Sequence, residues 1–204
     1  ARISLAVGLI AQSVALAIGV TLGLVSGYYG RWIDGLVMRL ADITLAFPTL
    51  LLLIAVAAAV RPSLALIFVV IGVVGWAGLA RLVRGQVLGL RTAEYVLAAR
   101  ALGASDARLL RRHLLPNVRG PVIVAATLGI AGAMMAEAAL SFLGLGAQPP
   151  TPSWGAMVAD GRDLLRVAPW VSVAPGAAIG IAVLAFNLVG DGLRQVFDHR
   201  PGQG

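Results

Sequence analysis

Cysteine is absent from this chain of 204 residues, and histidine occurs only twice. Disulfides, thiolate metal sites and cysteine nucleophiles are therefore excluded, and two histidines are too few for a zinc cluster. Charged residues are also scarce, at 12% of the chain against about 25% in ordinary soluble domains, whereas apolar residues reach 59%. This composition excludes a soluble enzyme and a disordered tail, and it indicates a membrane protein.

Five apolar stretches are long enough, or nearly so, to cross a hydrocarbon layer of ~30 Å as helices that rise ~1.5 Å per residue. A strand is excluded by their length, and backbone groups in lipid must be satisfied within each segment. The sequence therefore predicts an all-α, polytopic transmembrane bundle in a single domain of residues 1–204. The predicted spans are 3–25, 43–60, 64–82, 122–140 and 170–189, with a tight helical hairpin at 61–63.

Small residues recur within these spans at a spacing that lets helices approach closely in lipid. The bland interpretation is ordinary helix packing, and the alternative is that some of these faces line a path for a solute. The glycines concerned are Gly72, Gly75, Gly78, Gly129, Gly132, Gly176 and Gly180.

Lysine is also absent, so all 16 cations are arginines, and they lie between the apolar stretches rather than among aromatic residues. This distribution favours basic loops between spans over a nucleic-acid-binding surface. With spans that alternate in direction, 12 arginines fall on one side of the membrane and 4 on the other. The positive-inside rule then predicts a cytoplasmic loop at 83–121, an external loop at 142–169, an external residue 1 and a cytoplasmic C-terminus. An odd number of spans with an external start leads us to expect a further span before residue 1.

Two short helices are predicted within the cytoplasmic loop, at residues 92–116, which we call the knob. Thr92 is a suitable N-cap for the first helix, and Glu94 is favourable in its first turn. Gly103 is a natural left-handed stop for that helix. The first helix is therefore expected to end near residue 102.

The second helix of the knob is expected to begin at Ser105, with Asp106 at its positive end, and to stop before Pro116. Two such helices, meeting at about a right angle, would form a compact projection below the bilayer. The first helix has a smooth face that includes Ala98 and Ala99, which suits insertion into a groove on another protein. A structured loop held by anionic lipid is the alternative.

Residues 97–116 resemble a loop of the inner-membrane permeases of ATP-binding-cassette (ABC) importers. In that family the loop reads Glu-Ala-Ala, three residues, Gly, nine residues and Ile-x-Leu-Pro. This chain has Leu-Ala-Ala at 97–99, Gly103, and His-Leu-Leu-Pro at 113–116, so the spacing matches throughout. Leu97 replaces Glu and His113 replaces Ile, although His is usual at this position in the dipeptide, oligopeptide and nickel branch.

The resemblance extends over essentially all 204 residues and matches the second permease subunit of a pair, which ends in Gly-Asp-Gly-Leu-Arg, here residues 190–194. It implies a six-span inner-membrane subunit of which the first span is missing here, without a cofactor of its own. It also implies three kinds of partner: a second permease, two cytoplasmic ATP-binding subunits and an external solute-binding protein. ATP hydrolysis would belong to those subunits, because the glycine-rich pieces of this chain lack the Gly-Lys-Ser/Thr ending of a phosphate loop. The implied docking residues are Glu94, Ala98, Ala99, Gly103, Ala104, Ser105, Asp106 and Pro116.

Glu137 is the only acidic residue deep in an apolar run, and ionisable residues within membranes are functional candidates by default. It is either a contact on the substrate path for a cationic amino group or a structural hydrogen-bonding group near the outer end of its span. Pro48 is expected to kink a helix, with a gate hinge as the alternative. The external loop is expected to form a lid-like short helix that receives a binding protein, with a plain loop as the alternative.

Two other classes of function compete with the importer permease. A stand-alone channel or secondary transporter would need intramembrane charges for coupling ions, and only Glu137 is available. A membrane enzyme would need an acid/base or metal set, which the sequence does not offer. Dipeptides, longer peptides, nickel complexes and glutathione-like solutes are all compatible with the resemblance.

Overall fold

The computed structural model describes residues 2–59, 63–148 and 150–198, and these residues are predominantly α-helical. A π-helical turn, Leu109–Leu114, separates the sixth and seventh helices, and a 3₁₀ turn, Arg162–Leu164, follows the eighth. The α-helices are α1 (Arg2–Tyr29), α2 (Arg31–Ala46), α3 (Thr49–Ala59), α4 (Leu64–Leu90), α5 (Glu94–Ala101), α6 (Asp106–Arg108), α7 (Leu115–Phe142), α8 (Trp154–Asp160) and α9 (Trp170–Asp198).

Four helical segments are long and apolar enough to span a membrane, and they contain α1, α4, α7 and α9. The remaining predicted span, 43–60, is not one straight helix. Helices α2 and α3 meet at 88° around Pro48, where a kink was expected. Pro48 has no amide hydrogen for a helical bond and restricts the residue before it, so α2 ends there. The 11 residues of α3 extend only about 16 Å, so α3 crosses a bilayer only together with α2. The hairpin expected at 61–63 lies largely outside the described residues.

The long helices extend beyond the apolar stretches that predicted them. The third span was expected to stop at residue 82, but α4 continues to Leu90, eight residues into the expected cytoplasmic loop. The last span was expected to stop at residue 189, but α9 continues to Asp198. Hydrophobicity marks only the part of a helix within lipid, whereas backbone hydrogen bonding continues in water wherever neighbouring elements pack against it.

Helices α1 and α4 form the closest pair of the bundle and run in the same direction. Three glycines of α1 spaced by four residues face α4, and a Cβ at any of them would come within 2.8 Å of α4 atoms. These are Gly19 against Leu79 and Trp76, Gly23 against Ala80 and Val83, and Gly27 against Val87. Glycine at this spacing removes the side chains that would hold two backbones apart. Helices can then pack closely in lipid, where no hydrophobic effect drives them together.

The expected role of the other small residues is confirmed only in part. Gly72 approaches the backbone of α1 closely, and Gly129 lies against the side chain of Gln12. In contrast, a Cβ at Gly78, Gly132 or Gly180 would have open space around it. Packing among the described residues of this chain therefore accounts for only some of these glycines.

The two predicted loops lie at opposite ends of the bundle. Near the start of α1, Ser4 accepts a hydrogen bond from the backbone N–H of Trp154 at 3.1 Å. Near its end, Tyr28 donates one to Asp106 at 2.6 Å. These two α1 residues are separated by 24 positions, or about 36 Å along a helix. We call the end at Tyr28 the knob end and the end at Ser4 the loop end.

Candidate functional site

The turn between the two helices of the knob closes in a Schellman motif. Gly103 has φ +81°, its N–H donates to Arg100 O at 3.0 Å, and Ala104 N–H donates to Ala99 O at 3.1 Å. Left-handed backbone at this position favours glycine, and the two bonds satisfy carbonyls at the end of α5. The stop expected at Gly103 is confirmed.

One tyrosine of α1 bonds to two charged side chains of the knob and so ties the knob to this helix. Tyr28 Oη donates to Asp106 Oδ1 at 2.6 Å and accepts from Arg100 Nη2 at 2.9 Å. The Arg100 guanidinium also lies over the Tyr28 ring, 5.4 Å from its centroid. The hydrogen bond to Tyr28 raises the pKa of Arg100 further, so its charge is present at every physiological pH. Charge-assisted bonds of this kind are about twice as strong as neutral ones.

An apolar layer completes the attachment beneath these bonds. Val96 of α5 is fully buried in this layer. It packs together with three buried residues between positions 109 and 118, with Tyr28 of α1 and with two valines of α4. Burial of such side chains stabilises by about 1.5–3 kcal/mol each. The knob is therefore packed onto both α1 and α4. The other residues of this layer are Leu109, Leu114, Val118, Val83 and Val87.

The outer surface of the knob is apolar at its tip. Leu102 is 89% exposed, and Tyr95 and Leu97 are more than two-fifths exposed on α5. Exposed apolar side chains on a well-packed element make this surface a candidate for an interaction with another protein. Glu94, Ala98 and Ser105 are also exposed there, whereas Ala99 and Ala104 are half-buried at the turn.

Beside this tip the knob is strongly basic. Arg108, Arg111 and Arg112 line an open cleft of about 330 Å³. None of the three forms an ion pair within the residues that the structure describes. The knob thus presents an apolar tip flanked by positive charge.

Two details expected for the knob helices are wrong. Thr92 does not cap α5, since its hydroxyl donates to Gly89 O and Ala93 occupies the N-cap position. Pro116 does not end the second helix, because α6 continues through the π-helical turn into α7 as one segment from residue 106 to 142. In that turn Leu115 N–H bonds to Leu110 O, five residues back, and the wider turn accommodates a residue without N–H. Ser105 stands at the N-cap position of α6 without a side-chain capping bond.

Glu137 lies at the loop end, on α7, and is completely buried. Its Oε1 accepts a hydrogen bond from Ser141 Oγ at 2.6 Å, and Ser141 Oγ accepts one from Ala147 N–H at 3.2 Å. Glu137 Oε2 has no hydrogen-bond partner among the described residues. These contacts favour the structural alternative for Glu137, as a support for the turn that follows α7.

The external loop contains the short helix that was expected. Ser153 caps α8 by accepting a hydrogen bond from Ala156 N–H at 3.2 Å, and Ser172 of α9 donates to Val158 O at 3.1 Å. Gly155 packs onto the backbone of Ala138, where a Cβ would not fit. Helix α8 therefore lies across the ends of α7 and α9.

Between the two ends, α1, α3, α4 and α7 enclose a groove with a cavity of about 410 Å³. Its walls carry small and apolar side chains, and Gln12 and Thr49 are the polar exceptions among the residues described there. Gly78 and Gly132, where an added Cβ would meet no described atom within 4 Å, line this groove. Sequence analysis did not identify Gln12, although one amide in an otherwise apolar run was a visible signal.

Fold and site together define a polytopic α-helical membrane protein with an anchored knob at one end and a groove through its middle. The family model described as "Binding-protein-dependent transport system inner membrane component" matches residues 19–203. The chain belongs to this family, and the resemblance found in its sequence is confirmed.

Two relatives illustrate the match. The chain is 50% identical over 198 residues to the dipeptide transport system permease protein of Alkalihalophilus pseudofirmus. It is 45% identical over 197 residues to the glutathione transport system permease protein of Pectobacterium atrosepticum. Each alignment covers 97% of this chain and 65% of the relative, so the chain spans slightly less than two thirds of these relatives.

Solved structures support the fold. A chain of the MetNI methionine ABC transporter in inward-facing conformations matches with a TM-score of 0.75 at 20% identity, over 96% of this chain and 93% of that one. A chain of an amino acid ABC transporter matches with a TM-score of 0.64 at 16% identity, over 97% and 90%. The all-α fold expected from the sequence is confirmed.

Proposed function

We propose that this chain is the membrane-spanning permease of an ATP-driven importer for small peptides or peptide-like solutes such as glutathione. The names of the two relatives support this solute class. The observation that carries the proposal is the knob, which is fixed to α1 and α4 on one side and exposes Leu102 on the other. An element built in this way transmits the movement of a partner to two spans at once.

The partners proposed are a second permease, two ATP-binding subunits that dock on the knob, and a solute-binding protein that docks at the loop end. Closure of the ATP-binding subunits would move the knob and, through Tyr28 and Val96, shift the spans between inward- and outward-facing arrangements. Such a shift needs contacts that differ between the two states. ATP hydrolysis belongs to the partners in this proposal.

We also propose that this chain lies in a bacterial or archaeal inner membrane, with the knob end and the C-terminus in the cytoplasm. Ten of the 12 arginines assigned to that side lie from residue 81 onward. Because the chain has no cysteine, single cysteines report on one site each. Ser105→Cys and Asp163→Cys, both at exposed positions, should react with an impermeant thiol reagent from opposite faces. Reaction from the same face would contradict the topology.

The function is tested by breaking the turn of the knob in the assembled transporter. Gly103→Asp introduces a side chain at φ +81°, which costs roughly 1–2 kcal/mol, while its Cβ meets no neighbour within 4 Å. We expect the chain to insert and assemble, but peptide uptake and peptide-stimulated ATP hydrolysis to fall together.

Gly89→Asp is the matched control. Gly89 is exposed in the last turn of α4, its Cβ would also meet open space, and its backbone is helical. The same charge is therefore added at the same end without backbone strain, and uptake should remain close to that of the unmodified transporter. Normal uptake in Gly103→Asp would show that this turn is not the docking element.

A further inference from the structure

The groove between α1, α3, α4 and α7 has the size and lining of a site for a small uncharged group. Its cavity of about 410 Å³ falls within the range of small-molecule pockets, about 300–1,000 Å³. Among its described lining residues none carries a charge. The lining includes Gln12, Thr49, Gly75, Gly78, Gly129 and Gly132.

Gln12 is an anomaly within this groove. Its side chain is only 7% exposed, and its Nε2 has no hydrogen-bond partner among the described residues. An unpaired buried amide costs about 1–3 kcal/mol, and leucine in its place would avoid that cost. The bundle therefore holds a destabilising polar group where an apolar one would serve packing better.

The backbone of α7 is shaped around this amide. Gly129 lies directly against Gln12, and a Cβ at Gly129 would overlap its Oε1, Cδ and Nε2 atoms. A glycine here leaves room for the amide, whereas any larger residue would displace it. Gly129 thus provides the space against α7 in which the Gln12 amide lies.

We infer that Gln12 is a binding residue for a solute, and that its amide, once turned towards the groove, hydrogen-bonds a peptide bond of that solute. This inference rests on the proposed function, because it assumes that the groove carries a peptide-like solute. An uncharged wall has no partner for an ionised amino or carboxyl group, so the neutral peptide bond is the part of the solute that this site fits. A single neutral hydrogen bond is also weak enough for release, which a conducting path requires.

The experiment uses the complete transporter in lipid vesicles, with one cysteine added to the chain as Gly132→Cys. Gly132 lines the groove, and its Cβ would have open space. The rate of alkylation of this cysteine is measured against the concentration of alanylalanine or of S-methylglutathione, whichever the unmodified transporter takes up. Gly180→Cys on α9 is the control, since Gly180 is not among the residues lining the groove and also has open space around its Cβ.

We expect the transported probe to protect Gly132→Cys and not Gly180→Cys. Adding Gln12→Leu should raise the concentration for half-protection about three- to tenfold, the fold-change of one net hydrogen bond. The yield of assembled transporter should not fall, because leucine removes an unpaired polar group. If that yield does fall, Gln12→Met keeps a flexible side chain of similar length and serves instead.

Equal half-protection with Gln12 and with leucine or methionine would overturn the inference, as would absence of protection at Gly132→Cys in a transporter that takes up the probe. Failure of the unmodified transporter to take up either probe would instead contradict the proposed function. The two failures are therefore distinguishable.

Discussion

The two ends of the bundle are held by different chemistry. At the knob end, charged side chains join elements that are distant in sequence: Arg100 and Asp106 meet at Tyr28, and Arg84 binds Asp34 through two hydrogen bonds of 2.6 Å. At the loop end, the corresponding contacts are made by hydroxyls, including those of Ser4 and Ser172. Hydrogen bonds that involve charge are about twice as strong as neutral ones. From this difference we expect the knob to move rigidly with its spans, whereas the contacts of Ser4 and Ser172 yield more easily.

The largest expected effect on stability concerns Glu137. It is the exception at the loop end, because its contact with Ser141 involves a carboxyl group. Ser141→Ala removes the hydrogen bond to a fully buried carboxyl group and the acceptor for Ala147 N–H. We expect a loss of about 2–3 kcal/mol in the free energy of unfolding, measured by denaturant titration in detergent micelles. Ser13→Ala removes an exposed hydroxyl bonded within α1 and should cost far less. Equal costs would mean that Glu137 finds support elsewhere.

An intermediate effect is expected at the knob end, where α2 and α4 are joined by two ion pairs that differ in exposure. The Asp34–Arg84 pair has side chains 17% and 31% exposed, whereas the Asp42–Arg81 pair is 65% and 52% exposed. Asp34→Ala should reduce the free energy of unfolding by about 1–2 kcal/mol, because it leaves a half-buried guanidinium without its bidentate partner. Asp42→Ala should cost at most about 1 kcal/mol, as solvated pairs do. High salt should weaken only the second pair appreciably.

The smallest effect on stability and the sharpest one on coupling are expected from Tyr28→Phe. The ring remains in the apolar layer, but both hydroxyl bonds to the knob are lost. The cost is about 1 kcal/mol, because Arg100 and Asp106 are exposed and can bond to water instead. Uptake per ATP hydrolysed should fall, since the knob is then less firmly joined to α1. Unchanged uptake per ATP would indicate that the apolar layer alone transmits the movement.

Hydrophobic patterning was sufficient to predict four of the five spans as long helices, and Pro48 was sufficient to predict the break in the fifth. It could not predict where a helix ends beyond its apolar stretch, so the predicted third span ends eight residues before α4 does. It also made Pro116 a stop, because a π-helical turn that accommodates proline has no signature in residue spacing. The glycines at 19, 23 and 27 were visible at a spacing of four and went unused.

The candidate site was predicted unevenly for a physical reason. The turn at Gly103 is local, so its left-handed backbone could be inferred from neighbouring residues. The contacts of Tyr28 with Asp106 and Arg100 join positions 78 and 72 residues apart, and those of Gln12 with α7 depend on the packing of two helices. Such contacts become visible only when the bundle is assembled.

The central claim is that the exposed tip of the knob is where the ATP-binding subunits dock. Leu102→Cys supplies a single thiol at the most exposed apolar side chain of the knob, and Asp163→Cys supplies one at the loop end. In the complete transporter, a short thiol-to-amine cross-linker should join Leu102→Cys to an ATP-binding subunit and should not join Asp163→Cys to it. A Leu102→Cys chain that cross-links to no ATP-binding subunit in an active, assembled transporter would contradict the account.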